Sequence, residues 1–235
     1  MQTRLLLAYF LVFAGTLLAQ SDVVPTCGTV VPHGSHAYEQ SIAKDLSDFM
    51  NSTEEKEMTI LPIQVYVINN ADGIGGISNI QVDAAVNQLN AIYTEGEVSF
   101  EQCESAIQVS SDAFFNFVVG EEDSLFMAYS RPDVMNVYVV GGSLTTQQGI
   151  LLCGYAFFPW SSNENRYRMI LQDACFINGS SFAHEMGHAL GLYHTHETSF
   201  GVELVDGSNC DAAGDLICDT PADPLLGEGN VNFLC

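Results

Sequence analysis

Basic residues are scarce in this chain. Six Lys and Arg stand against 29 Asp and Glu in 235 residues, a formal charge of −23. So acidic a surface repels phosphate backbones and anionic lipid headgroups, which argues against nucleic acid as a partner. An apolar run of the roughly 20 residues that a membrane-spanning helix needs is also missing. The stretch from Leu5 to Leu18 falls short of that length and no later segment reaches it, so no membrane span is expected. Internal repeats, low-complexity tracts and a flexible linker are absent too, and 47% hydrophobic residues suffice for one domain with a sizeable core. The acidity itself has two readings, a soluble surface for most carboxylates and calcium binding by some of them.

The first twenty residues, MQTRLLLAYFLVFAGTLLAQ, run from Arg4 through the apolar stretch to the small Ala19. That pattern is a secretory signal with cleavage after Ala19 or Gln20, and it predicts an extracellular protein. Export permits disulfides, so the seven cysteines divide between bridges and free thiols, and the odd count leaves at least one unpaired within the chain. Asn51 and Asn178 begin N-x-S/T sequons. Residues 21–57 form a leader, turn-rich and then helical, with apolar Ile42, Leu46, Phe49 and Met50. The remaining 58–235 make up the main domain.

That domain opens on a β-rich segment, MTILPIQVYVIN, ended by the glycine-rich NADGIGGISN. ISNIQVDAAVNQLNAIY predicts a helix with Ile80, Ala84, Leu89 and Ile92 towards one face, and VSFEQC a second strand. AFFNFVV, MNVYVVGG and GYAFFPW predict further strands, the last an edge strand that Pro159 stops from extending. The fold class that follows is α/β, a mixed sheet with a helix packed on it.

The chemistry concentrates in SFAHEMGHALGLYHTH, residues 181–196. Phe182, Met186, Ala189 and Leu190 suit the buried side of a helix. At about 3.6 residues per turn, a separation of four puts His184 and His188 on one side, spaced for a single ion. Zinc accepts neutral imidazole and keeps a coordination position open in catalytic sites. Glu185, beside the first ligand, is placed to take a proton from the attacking water. Gly191 lets the chain leave the helix in a left-handed conformation, and the turn returns His194 as third ligand. A lone H-E-x-x-H also arises by accident in ordinary helices; the glycine and third histidine of H-E-x-x-H-x-x-G-x-x-H favour the metal. His196 is expected to point away from the ion, and His33 and His36 to be plain polar residues.

This extended motif resembles the signature of the metzincin zinc endopeptidases. CDAAGDLICDTPADP, residues 210–224, looks like the loop that follows the zinc motif in the pappalysin family. The resemblance implies a metzincin-type fold, with a twisted mixed sheet, a backing helix and an active-site helix. It further implies that substrate main chain pairs with the edge strand at Gly154 and Ala156. In the family the acidic loop binds calcium, and Asp215, Asp219, Thr220 and Asp223 offer the oxygen donors that ion requires. The competing reading is a loop of Asx turns in which these side chains cap backbone amides.

PTCGTVV in the leader resembles the family's propeptide segment, whose cysteine caps the zinc. Cys27 would then exclude the attacking water and keep the enzyme latent; an ordinary disulfide is the alternative. Setting Cys27 aside leaves Cys103, Cys153, Cys175, Cys210, Cys218 and Cys235, which can pair completely, with Cys153 to Cys175 preferred because they flank the edge strand and its return. Metzincins also carry a methionine turn after the third histidine, and here no methionine follows Met186. The domain is therefore expected to lack its C-terminal part, with Cys210 or Cys218 left without its normal bridge. The function expected is that of a secreted zinc endopeptidase acting on proteins or peptides, with the missing methionine turn counting against cleavage by the 235-residue chain itself. The alternative is a secreted zinc- and calcium-binding protein without protease activity.

Overall fold

A computed structural model describes residues 26–32, 34–35, 37–41, 57–161 and 166–223. The signal, most of the leader helix, His33, His36, Asn51 and Cys235 lie outside these residues. In chain order the elements are β1 (Thr26–Cys27), β2 (Thr59–Asn69), α1 (Asn79–Tyr93), β3 (Val98–Gln102), β4 (Ile107–Ser110), α2 (Asp112–Phe115) and β5 (Phe117–Val118). They continue with α3 (Glu122–Ala128), β6 (Met135–Val140), β7 (Leu144–Thr145), β8 (Leu152–Ala156), β9 (Arg168–Gln172), α4 (Asp173–Phe176) and α5 (Ser181–Ala189).

Seven strands form one sheet in the order β1-β8-β9-β6-β2-β3, with β4 also paired to β2. The interior pairs, β2 with β6 and β6 with β9, are parallel, while β8 runs antiparallel to β9. Parallel strands are covered on both faces, and β6 is accordingly buried along its whole length. One face packs α1 and α5 against Ile63, Val65, Val67, Val137, Val139, Met169 and Leu171. The other holds Tyr66, Ile68, Tyr138, Val140 and Ile170 under Phe117, Leu125 and Phe126. The architecture is the α/β mixed sheet with backing and site helices that the sequence predicts.

Two expectations need correction. The buried stripe of α1 is Val82, Ala85, Val86 and Leu89, whereas Ile80 and Ile92 are 80% and 50% exposed. Leu89 follows Ile80 by nine residues, and at about 100° per residue that is half a turn, so one face cannot hold both. The valine stripe keeps the spacing of three and four that a single face demands. A capping box at Ser78 and Gln81 starts the helix. AFFNFVV is not one strand either. It divides into the single turn of α2 and the two residues of β5, because a short apolar run satisfies either period and its contacts decide.

Candidate metal centre

Helix α5 is held at both ends. Asn178 Oδ1 accepts the backbone N–H groups of Ser180 and Ser181, which supplies the cap that Ser180 does not make. The Tyr93 hydroxyl donates to the carbonyl of Ala183 and ties α5 to α1. Phe182, Met186 and Ala189 sink into the sheet-facing core. After Ala189 the chain reverses through Gly191 at φ +102°, and Gly191 and Leu192 donate to the carbonyls of His188 and Gly187. This reversal carries His194 back over the helix.

The three histidines converge. Nε2 of His184 lies 3.1 Å from Nε2 of His188, and Nε2 of His194 lies 3.1 Å from His188 and 3.2 Å from His184. Three imidazole nitrogens bound tetrahedrally to one zinc ion at about 2.0–2.1 Å lie roughly 3.3 Å apart, so the triangle fits that ion. Nδ1 of His188 is 2.7 Å from the carbonyl oxygen of Leu192. That bond holds the ring proton on Nδ1 and leaves Nε2 a free lone pair. Burial, followed by the neighbouring rings, lowers the pKa of His194 to about 4; burial also lowers His188 to about 4 and pulls His184 below its usual value. All three are neutral at neutral pH, the form that binds metal. Cys27 Sγ completes a set of four donors lying within 4.8 Å of one another, the one such cluster among the described residues. His196 stacks on His194 at 4.8 Å between ring centroids and stays outside the set.

Glu185 is buried beside the triangle, and burial raises its pKa to about 7 against the lowering effect of hydrogen bonds from Thr29 and Cys27. Gly154 of β8 lies directly over it. A β-carbon there would stand 3.1 Å from Cγ of Glu185 and 3.0 Å from Cγ of Leu171. The outer edge of β8 is taken by the leader: β1 pairs with it in parallel, and the Gly28 N–H donates to the Gly154 carbonyl at 2.8 Å. Further along, Tyr38 stacks on Trp160, the Trp160 indole donates to Ser35, and the Tyr193 hydroxyl donates to Glu39. The sequence reading missed Thr29, whose hydroxyl donates to Glu185 and accepts from the Ala156 N–H. Its signal was present, since alternate residues of an extended segment share a face and Thr29 follows Cys27 by two.

Cys153 and Cys175 are disulfide-bonded. The other cysteines depart from the expectation. Cys210 and Cys218 bridge to each other rather than leaving one unpaired, and Cys103 is free and exposed rather than one of six that pair completely. The eight-residue separation of Cys210 and Cys218 closes a turn that needs no distant partner. In this loop Asp215 is buried and accepts the Ile217 N–H, and the Thr220 hydroxyl lies 2.9 Å and 3.1 Å from its two oxygens. Asp219 is exposed, and Asp223 accepts from Thr195. The Asp215 and Thr220 contacts are those of a capped turn.

With this geometry in place, residues 79–195, which span α1 to the third histidine, match the family described as Metallo-peptidase family M12B Reprolysin-like. The chain carries a metallopeptidase domain. An extracellular metalloprotease of Arthroderma gypseum is 27% identical over 94% of this chain and 75% of its own length. One of Arthroderma benhamiae is 29% identical over 90% and 72%. Mature mirolysin of Tannerella forsythia, solved in complex with a cleaved peptide, superposes with a TM-score of 0.51 at 19% identity and covers 72% of this chain and 74% of its own. That likeness establishes the shared fold. A metallopeptidase domain implies a metal, and the three-nitrogen set of the site suits zinc.

Proposed function

We propose that this metallopeptidase is a secreted, pappalysin-type zinc endopeptidase made with an inhibitory leader. His184, His188 and His194 hold the ion, and Glu185 is the general base. The observation that carries the reading is the triangle of Nε2 atoms at 3.1–3.2 Å with a buried carboxylate beside it. When bound, zinc supplies Lewis acidity that polarises the scissile carbonyl and acidifies water. Glu185 takes the proton of the attacking water and returns it to the leaving amine. Burial of this carboxylate favours its taking up a proton and holding it for the leaving group. The Leu192 carbonyl fixes the His188 ring, and the main chain of Gly154 and Ala156 aligns an extended substrate. Pairing of the leader with this edge supports the last role, since it is a strand-addition surface.

Extracellular relatives and the absence, among the described residues, of a helix long and apolar enough to cross a membrane support secretion. Cys27 is the cap in this reading. Its thiol lies against the cluster, and burial, then the Glu185 charge, push its pKa up to about 12; a cation among the same donors would lower it again. The acidic loop around Asp215, Asp219 and Thr220 has two readings, calcium or the capped turn: a rise in melting temperature on adding calcium supports the ion, and no change supports the turn. The central test is cleavage of an unstructured protein by the chain after removal of the leader, with and without a zinc chelator, alongside measured zinc content. Chelator-sensitive cleavage with about one zinc per chain is expected. Stoichiometric zinc with no cleavage would instead support the metal-binding protein.

A further inference from the structure

The leader touches the site at two points, and only one involves a donor for metal. Cys27 Sγ reaches Nε2 of His188, while two residues on the Thr29 hydroxyl donates to Oε2 of Glu185 at 2.9 Å and accepts the Ala156 N–H at 2.9 Å. The Thr29 N–H also turns back to Cys27 Sγ at 3.4 Å, which locks the two side chains in one orientation. Gly28 between them permits the close approach. A β-carbon there would lie 2.6 Å from Cδ1 of Leu152, so the segment lies flat on β8 and both flanking side chains point into the site.

We propose that Thr29 is a second stopper, independent of the metal, which seats the leader on the Glu185 carboxylate and the Ala156 amide. It occupies the proton-accepting oxygen that the attacking water needs and the edge-strand donor that a substrate main chain needs. Both groups are satisfied by one hydroxyl, used once as donor and once as acceptor. Neither hydrogen bond involves a metal-ligating atom, so the leader stays seated when Cys27 is not coordinated. Thr29 alone holds the leader less tightly than Thr29 and Cys27 together, so latency is released in part when either contact is lost and in full only when both are broken. This rests on the general-base role proposed for Glu185, and it makes Thr29, with Cys27, the determinant of how tightly the leader binds.

The experiment uses the full leader-containing chain in zinc-containing buffer. Iodoacetamide labelling of Cys27 is followed by mass spectrometry, with exposed Cys103 as internal reference. Loss of two hydrogen bonds, one to a carboxylate, is expected to speed Cys27 labelling relative to Cys103 about tenfold or more in Thr29→Val and Thr29→Ala. Thr29→Ser, which keeps the hydroxyl, should stay near the parent rate. Two different replacements guard against a folding defect in either, and near-ultraviolet circular dichroism checks both. Unchanged labelling in folded Thr29→Val and Thr29→Ala would overturn the proposal. If labelling accelerates but the leader-free chain does not cleave protein, the peptidase reading falls and the seat stands. If the leader-free chain cleaves protein while labelling is unchanged, the seat falls and the peptidase reading stands.

Discussion

Cys27 Sγ lies 3.6 Å from Nε2 of His188, a contact between residues 161 apart in sequence. With the three Nε2 atoms the thiol makes a set of donors lying within 4.8 Å of one another, close enough to share one ion. Cys27→Ala is therefore expected to raise the activity of the leader-containing chain and leave the leader-free chain unchanged. Initial rates on an unstructured protein measure both. Equal rates for parent and variant with the leader attached would count against the cap.

Roles within the motif separate by zinc content. Glu185→Gln should retain bound zinc and lose activity by about 10²-fold or more, since positioned proton transfer contributes on that scale. His188→Ala should lose both, because it removes a ligand. Atomic absorption beside the rate assay reads the split. Loss of zinc from both variants to the same degree would refute the assignment.

Gly154→Ala tests the closeness of β8 to Glu185, the proposed general base. The added methyl meets Cγ of Glu185 at 3.1 Å, Cγ of Leu171 at 3.0 Å and the Ile170 carbonyl at 3.1 Å. Overpacking of this kind costs about 1–3 kcal/mol, and displacement of Glu185 should lower kcat more than it raises KM. Denaturant unfolding and steady-state kinetics check the two parts.

The buried stripe of α1 makes a stability prediction. Leu89→Ala, at 1% exposure, should destabilise by about 2–5 kcal/mol. Ile80→Ala, at 80% exposure, should stay within about 0.5 kcal/mol. Urea midpoints distinguish them, and the reverse order would restore the isoleucine face.

The metal-free chain should show a pH slope from His188. Burial holds its folded pKa near 4, below the ordinary 6.5, so between those values the unfolded chain binds the extra proton. Stability contributed by neutral His188 is thus present above 6.5 and lost as pH falls towards 4. Glu185, raised to about 7, acts in the opposite direction. Comparison with His188→Asn isolates the histidine: the variant should unfold with a shallower dependence on pH across that window.

Much of the centre is legible because it is local. His184, Glu185 and His188 occupy adjacent turns of one helix, and the 3.6-residue period alone puts the two imidazoles on one side. Gly191 marks the reversal that returns His194, and its φ of +102° is the conformation glycine supplies at least cost. Strands β2 and β6 are legible for a similar reason, since dense β-branched runs suit a sheet buried on both faces. The rest depends on contacts that local pattern does not specify. The sheet selects Val82, Ala85, Val86 and Leu89 over the isoleucines, because a helix buries whichever stripe has the right period against its neighbour. Cys210 finds Cys218 because the turned loop brings their Cα atoms to 5.0 Å. Thr29 reaches Glu185 across 156 residues because β1 adds to the edge of β8, and strand addition is decided by an unpaired edge in the folded sheet. The sequence by itself determined which three histidines cluster; the tertiary structure alone decided which leader side chains lie against them, because pairing register between distant strands is set only once the sheet exists.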